Sequence, residues 1–442
     1  KTYDYVVANP PFSDKSWGTG VETENDPHKR FDGYGIPPDK NGDYAYLLHI
    51  VRSLKSQGKG ACILPHGVLF RGNAEANIRK SLIRRGLIKG IIGLPANLFY
   101  GTGIPACLIM IDKEGAQNRQ GIFMINAGKG FMKDGNKNRL RDMDIHKIVD
   151  VFNKQIEIDG YSKIVSINDI EKNEYNLNIP RYIDSSDAED LQDIEAHLLG
   201  DIPKADIDAL GDYWQVFPNL KNSLFKGANR SDNYIALQVE KEAIKQAIFE
   251  HSEFIVFTAQ MNQLFKKWRD NTAEQLKILE TGFHPKELCH IISESLLAAY
   301  TGKPLLDKYD VYQHLMDYWA EVMQDDTYLI AEDGWKAATY RIKKKQDVDK
   351  GWTCDLVPKQ LVINRFFAQE QQAIDMLNVA LETAQSKLTE LEEEHSGEDG
   401  VFADMDKVGK GSINTRLKEI KGKAGVAEET TILKKYLKLL DD

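Results

Sequence analysis

The sequence is poor in several features that would point to particular protein classes. It holds only 4 cysteines in 442 residues (Cys62, Cys107, Cys289, Cys354), far apart and without pairing or zinc-ligand spacing. A disulfide framework and a cysteine-bound zinc are thereby excluded, and a reducing compartment, the cytoplasm, is the simplest setting. No apolar run approaches the roughly 20 residues a membrane helix needs, and no signal-peptide pattern is visible, so no membrane partner is expected. A basic excess is lacking too: 57 Lys+Arg stand against 67 Asp+Glu, a net charge of -10. That excludes a uniformly basic nucleic-acid coat protein but leaves room for a local basic groove. An initiator methionine is also missing. The chain opens at Lys1 and enters a strand almost at once, which reads as a cut edge, with the chain the C-terminal part of a longer protein.

What is present is an α/β pattern followed by an all-α one, and the length suggests two to four domains. Tyr3 to Ala8 is a compact β-rich run stopped by Asn9-Pro10-Pro11. Residues 43–57 place Tyr44, Leu47, Leu48, Val51 and Leu54 on one helical face, with Gly58 and Gly60 as the stop. Ala61–Leu64 reads as a second strand, 73–85 as a second helix, and 87–93 as a third strand. Ala106–Ile111 and Ile122–Asn126 follow as a fourth and fifth. Strands separated by helices of this length predict a parallel, doubly wound sheet; the last two strands lack a helix between them, so one is expected antiparallel at the edge. This is half of an α/β domain, the half that comes second. Residues 1–184 form this unit, 185–360 a helical domain, and 361–442 an antiparallel helical hairpin. The hairpin is read from Ile374, Leu377, Leu381, Ala384, Leu388 and Leu391, spaced 3, 4, 3, 4, 3, a break at Gly397–Gly400, and a return helix carrying Ile432, Tyr436 and Leu440.

Asn9-Pro10-Pro11-Phe12 is the constellation with a mechanism behind each residue. An exocyclic amine such as adenine N6 is a poor nucleophile because its lone pair is delocalised into the ring. The Asn9 amide oxygen and the Pro10 carbonyl can each accept one of its N–H groups, draw the nitrogen towards tetrahedral geometry and free the lone pair. The prolines fix φ at about −65° and so aim these acceptors in advance. Phe12 can stack on a base rotated out of the duplex. The bland alternative, a turn that merely ends a strand, is outweighed by the aromatic that follows and the Asp-Tyr-Val-Val-Ala strand that precedes.

The run from Tyr3 to Ser13 resembles the catalytic motif of adenine-N6 DNA methyltransferases, and more narrowly the modification subunit of type I restriction-modification systems. The resemblance continues through Leu64–Phe70, Ile78–Leu82, Ile91–Phe99 and Thr102–Pro105, and returns at Leu391–His395 and Arg416–Ile420. It implies the second half of a Rossmann-like class I methyltransferase sheet, S-adenosylmethionine as methyl donor, and DNA as substrate. It also implies a specificity subunit docked on the helical tail, with a restriction subunit as a further partner. By the same resemblance Asn9 and Pro10 hold the amino group, Asn9 also borders the cofactor, Pro11 shapes the turn and Phe12 stacks on the base. The sequence departs from the family pattern in one respect: the glycine-rich cofactor loop that should precede the catalytic strand is not in it. Gly101-Thr102-Gly103 leads into a strand and Ala127-Gly128-Lys129-Gly130 into a turn, so neither has the context of a nucleotide loop. This stretch alone is therefore expected to be inactive, and a non-catalytic scaffold that docks a DNA-specificity subunit is the rival reading. Methylation of RNA or of a protein glutamine at a similar motif is a third.

Lys129, Lys133, Lys137, Arg139 and Arg141, in a Gly/Asn-rich loop, are candidate DNA phosphate contacts. Arg71, Arg79, Lys80, Arg84, Arg85 and Lys89 are either a second such surface or the solvated side of a helix. Arg341-Ile342-Lys343-Lys344-Lys345 reads as solubilising. No metal is expected, because His284 and the Cys289-His290 pair fit no common ligand spacing. Tyr312, Tyr318 and Trp319, at helical spacing in an apolar segment, read as core.

Overall fold

A computed structural model describes the chain except for residues 187–191, 344–348, 396–399, 404, 406, 424 and 442. The chain divides into two compact units, Lys1–Asp325 and Asp326–Asp442. The first is built on a six-stranded sheet. Its strands are β1 (Tyr3–Ala8), β2 (Leu54–Pro65), β3 (Ile88–Gly93), β4 (Ala106–Asp112), β5 (Gly121–Asn126) and β8 (Ser162–Ser166); β6 (Met132–Asp134) and β7 (Lys137–Arg139) form a separate hairpin. The sheet order is β1-β2-β4-β3-β5-β8. β1 pairs with β2 and β3 with β5 in parallel, while β4 runs antiparallel to both β2 and β3, and β8 antiparallel to β5.

Helices lie on both faces. α1 (Asp43–Ser53), α2 (Asn73–Arg84) and α4 (Ile167–Lys172) share one apolar layer with Cys62, Leu64, Ile91, Ile109 and Met124. α3 (Asp142–Lys154) covers the other face through Ile148, Val151 and Phe152 against Ile92, Phe123 and Ile125. The alternation along β5 (Ile122 and Met124 one way, Phe123 and Ile125 the other) is the period-2 signature of a strand buried on both faces. This is a mixed α/β sheet with helices on both faces, followed by a largely helical region.

Three expectations are corrected. The antiparallel fourth strand sits inside the sheet, not at its edge: Ala-Cys-Leu-Ile-Met-Ile carries apolar residues towards both faces, which suits an interior strand. The antiparallel edge falls to β8, Ser-Lys-Ile-Val-Ser. Secondly, α1 stops at Ser53, and Gly58 and Gly60 lie within β2. A Cβ at Gly60 would come within 3.0 Å of Ile50 Cγ2, so the glycine lets α1 press on the strand rather than ending the helix. Thirdly, the region after residue 184 is not purely helical. Ile202–Pro203, Phe225–Gly227 and Tyr234–Leu237 form a small antiparallel sheet, and Tyr340–Lys343 pairs with Asp349–Thr353. Tyr-Ile-Ala-Leu after the turn at Ser231–Asn233 is a β-type run too short to outvote its helical surroundings by periodicity.

The boundary between units falls at 325 and 326, whereas the sequence suggests breaks at 184 and 360. The reason is visible in α3, which packs on the helix Lys308–Tyr318. Tyr309 and Lys308 donate to Asp150 Oδ2 at 2.7 and 3.1 Å, and Met143 N donates to Gln313. Trp319 is buried and Tyr312 packs, as expected from a seven-residue spacing; Tyr318, turned away from that face, is exposed. In the second unit Ala368–His395 and Ala427–Asp441 pack together with Lys410–Glu419 around Leu391, Phe402, Ile413, Leu433 and Tyr436. Ile374, Leu377 and Leu381, in the first half of the long helix, are exposed. Lys344, Lys345 and most of the Gly397–Gly400 break lie outside the described residues. Among the described residues no helix is long and apolar enough to cross a membrane.

Candidate active site at the end of the first strand

β1 ends at Ala8, paired with Cys62, so Asn9-Pro10-Pro11-Phe12 emerges at the carboxyl end of the parallel strands, where open α/β sheets bind ligands. Asn9 is exposed, and among the described residues no donor reaches its side chain or the Pro10 carbonyl. Both acceptors are therefore available to a ligand. Their aim is fixed by the two proline rings on one side and by Ser13 on the other. Ser13 adopts φ +51°, a left-handed conformation costly for a residue with a Cβ. It is held there by Asp43, the first residue of α1, whose fully buried carboxylate accepts from Ser13 N at 2.7 Å. The same carboxylate takes a 2.7 Å ion pair from Arg71, which also reaches Glu75 Oε1 at 3.2 Å. Glu75 Oε2 is buried without a partner among the described residues, and burial pushes this carboxyl above the usual range, against the pull of Arg71. Asp14, next along, accepts from the Tyr46 hydroxyl, the main cause of its lowered pKa, and its carbonyl accepts from Gly42 N. The start of α1 thus clamps the chain immediately after the motif.

Phe12 meets a partner that sequence reasoning did not single out. Its ring lies edge-on to Phe99, with centroids 5.6 Å apart. Phe99 belongs to the loop 94–105 between β3 and β4, and Tyr100 beside it is 94% exposed. The β6–β7 hairpin holds this loop. Asn138 N and Nδ2 donate to the carbonyls of Asn97 and Ala96, and Lys137 Nζ donates to those of Phe99 and Thr102. Asn97, at φ +57°, closes the loop through its own N–H to Gly103 O.

The candidate phosphate contacts therefore divide. Lys137 is turned into the loop, and Arg141 forms a two-pronged pair with Asp144 at the start of α3, at 2.9 and 3.0 Å. Lys129 and Lys133 are exposed, and Arg139 is an exposed side chain 3.5 Å from Asp134. The other basic stretch is committed to the fold. Arg79 is buried on the carbonyls of Tyr175, Val68 and Arg71; Arg84 binds the Tyr175 hydroxyl; Arg85 binds Gly33 O; Lys89 binds Asp112.

Neither glycine turn opens a helix: Gly101–Gly103 runs into β4 and Ala127–Gly130 into β6. The site so described consists of the exposed Asn9, the Pro10 carbonyl and the Phe12–Phe99 pair. Cys62 and Cys107 are buried beneath the site, and burial pushes the Cys62 thiol up to about 12 and that of Cys107 further, which disfavours a thiolate at either. Among the described residues no group of three His, Cys, Asp or Glu is placed to hold a metal.

Residues 1–191 match the family model for N-6 DNA methylase. Among curated proteins, the type I restriction enzyme MjaVII methylase subunit of Methanocaldococcus jannaschii is 36% identical over 191 residues, which make up 41% of this chain and 32% of that protein. The HindI methylase subunit of Haemophilus influenzae is 32% identical over 200 residues, 43% of this chain and 44% of that one. Among solved structures, the methyltransferase subunit of a type I restriction-modification system from Streptococcus thermophilus shares 43% identity, covering 41% of this chain and 38% of that one, at a TM-score of 0.38. The first curated relatives are matched over only about a third of their own length. The motif and the curated relatives point the same way: residues 1–191 are similar to N-6 DNA methylases and, among these, to methylase subunits of type I restriction enzymes.

Proposed function

We propose that this chain supplies the methyl-accepting half of the active site of an adenine-N6 DNA methyltransferase, the modification subunit of a cytoplasmic type I restriction-modification system. The observation that carries the reading is the pair of unengaged acceptors, Asn9 Oδ1 and Pro10 O, at the carboxyl end of β1 beside the Phe12–Phe99 aromatic pair. Asn9 and Pro10 accept the two N–H groups of adenine N6 and orient its lone pair outward. Pro11 keeps the turn rigid, and Phe12 stacks on the extruded base while Phe99 stands at its edge. S-adenosylmethionine supplies an electrophilic methyl group when bound. Asn9 would border that donor, and this chain's own contribution is to bind and orient the amine. Nothing in the motif demands a general base, because the amine becomes acidic once methylated. Lys129, Lys133 and Arg139 serve as phosphate contacts on the DNA.

Tyr5 and Val7, on one face of β1, are 76% and 80% exposed, unusual for apolar residues of a parallel strand, which supports a covering partner over that face in the working enzyme. The second unit docks the specificity subunit along the exposed seam of Ile374, Leu377 and Leu381, and a restriction subunit joins that assembly. The test is transfer of labelled methyl from S-adenosylmethionine to duplex DNA by the protein assembled with its specificity subunit, with N6-methyladenine as the product. Label on any other nucleoside, or on protein, overturns the reading. The exposed seam equally suits a purely structural arm, and calorimetric titration separates the two. A scaffold leaves the assembly unable to bind S-adenosylmethionine, whereas a methyltransferase binds it in the assembly.

A further inference from the structure

The β6–β7 hairpin carries a lysine whose chemistry does not fit the phosphate-binding job its sequence suggests. A phosphate contact needs an ammonium directed to solvent. Lys137 Nζ instead lies 2.9 Å from Phe99 O and 3.1 Å from Thr102 O, bridging two carbonyls of one loop. Asn138, next to it and 7% exposed, donates through Nδ2 to Ala96 O at 2.7 Å and through its backbone N–H to Asn97 O at 3.0 Å. Four carbonyls within seven consecutive residues are thus satisfied by two neighbouring residues of β7. The loop 96–103 has no helix or strand of its own to satisfy them. Asn138 Oδ1 is buried with no partner among the described residues. A side chain that leaves its acceptor unpaired in the interior is there for what its amide donates. The loop so held carries Phe99, and its own carbonyl is one of the four anchored groups.

We propose that Lys137 and Asn138 are positioning residues, a latch that fixes the loop 96–103 and so sets Phe99 at the edge of Phe12. This assignment rests on the reading of Asn9–Phe12 as the target-base site. The latch sets how well an extruded base is seated, not how tightly the duplex is held. Variants that break it lower the chemical step without weakening the electrostatic part of DNA binding. The hairpin divides its labour by face: Lys133 and Arg139 stay exposed for the duplex, while Lys137 and Asn138 turn inward.

The test uses Lys137→Gln and Asn138→Ala in the protein assembled with its specificity subunit. The assays are single-turnover methyl transfer to duplex DNA, the salt dependence of DNA affinity, and amide hydrogen exchange at Asn97 and Asn138. The expected result is a roughly tenfold or greater loss of the single-turnover rate in both variants, about what losing one or two hydrogen bonds, charge-assisted for Lys137 and neutral for Asn138, implies. At least tenfold faster exchange at Asn97 accompanies it, with an unchanged salt slope. Lys133→Gln is the contrast, with a shallower slope by about one and an unaltered exchange rate at Asn97. The latch is overturned if Lys137→Gln reduces the salt slope by about one while exchange at Asn97 stays at the wild-type rate, the signature of a phosphate contact. It is equally overturned if both variants keep the wild-type transfer rate. Asn9→Ala, run alongside, separates this outcome from failure of the site reading. If Asn9→Ala transfers methyl normally, the reading of Asn9–Phe12 falls; if it is inactive while the latch variants are normal, only the latch falls.

Discussion

Asp43 bears more of the site's geometry than any other residue outside the motif, and its removal should be felt in α1 first. In Asp43→Ala the Ser13 N–H loses its 2.7 Å acceptor and Arg71 loses its 2.7 Å ion pair, both at a carboxylate with no solvent exposure. Breaking a buried pair by deleting one partner costs about 3–5 kcal/mol. Arg71 has a side chain 29% exposed and keeps Glu75, so part of its charge is recovered by water and by that neighbour. A destabilisation of about 3 kcal/mol is therefore expected, at the lower end of that range. Asp43→Asn keeps an oxygen for Ser13 N and loses only the charge, so about half of that cost should remain. A chain of two compact units need not unfold in one step, so the measurement is native-state hydrogen exchange at the α1 amides of Tyr46 to Ile50, compared across urea concentrations. A cost below about 0.5 kcal/mol for Asp43→Ala, or equal costs for the two variants, would show that the carboxylate does not hold the turn.

The docking of α3 on Lys308–Tyr318 should depend on acid. Burial raises the Asp150 pKa, but hydrogen bonds from Lys154, Tyr309 and Lys308 outweigh it and hold the group down from the ordinary 3.8 to about 2. Its contribution, about 2 kcal/mol on that shift, is present above pH 3.8 and lost as pH falls towards 2. The stability difference between wild type and Asp150→Asn in urea should shrink over that window; a difference constant from pH 7 to pH 2 would contradict the assignment. Gly90→Ala would place a Cβ 2.5 Å from the Phe152 ring and 2.7 Å from Phe123 O, so a loss of about 1–3 kcal/mol by thermal or denaturant unfolding is expected, and a neutral variant would refute the packing. In the second unit Leu391→Ala should cost about 2–5 kcal/mol, because Leu391 is 3% exposed at the crossing of Ala368–His395 and Ala427–Asp441; Leu377→Ala, at 69% exposure, should change the isolated chain's stability by less than about 0.5 kcal/mol.

Much of the fold was legible because the chain's local patterns agree with its global one. The starts of α1 and α2 and the cores of β3, β4 and β5 follow directly from apolar periodicity. The placement of β4 was not, because strand order is set by pairing between residues far apart in the chain, and periodicity carries no record of it. The end of α1 was misread for a related reason. Gly58 looks like a helix stop, but what ends the helix is the pairing of β2 with β1 and β4, which claims the chain from Leu54 onward. The candidate site Asn9–Phe12 could be singled out because the chemistry proposed for it is carried by four adjacent residues. Its supports were not: Asp43 lies 30 residues from Ser13, Phe99 comes from the loop before β4, and Asn138 comes from strand β7. Lys137 shows the limit most plainly. As one of five basic residues in a loop it looks like a phosphate ligand, and only the positions of the Phe99 and Thr102 carbonyls turn it inward.

The central claim is that Asn9 activates the amine that receives the methyl group. Its most direct measurement is the single-turnover rate of methyl transfer to adenine in duplex DNA by the assembled methyltransferase carrying Asn9→Ala, set beside its affinity for the same duplex. Losing one of two oriented acceptors for the reacting amine should lower the rate by about 10²–10³-fold, as removal of a preorganised hydrogen-bonding group at a reacting centre does, with DNA affinity nearly unchanged. A rate within a few-fold of wild type would contradict the account.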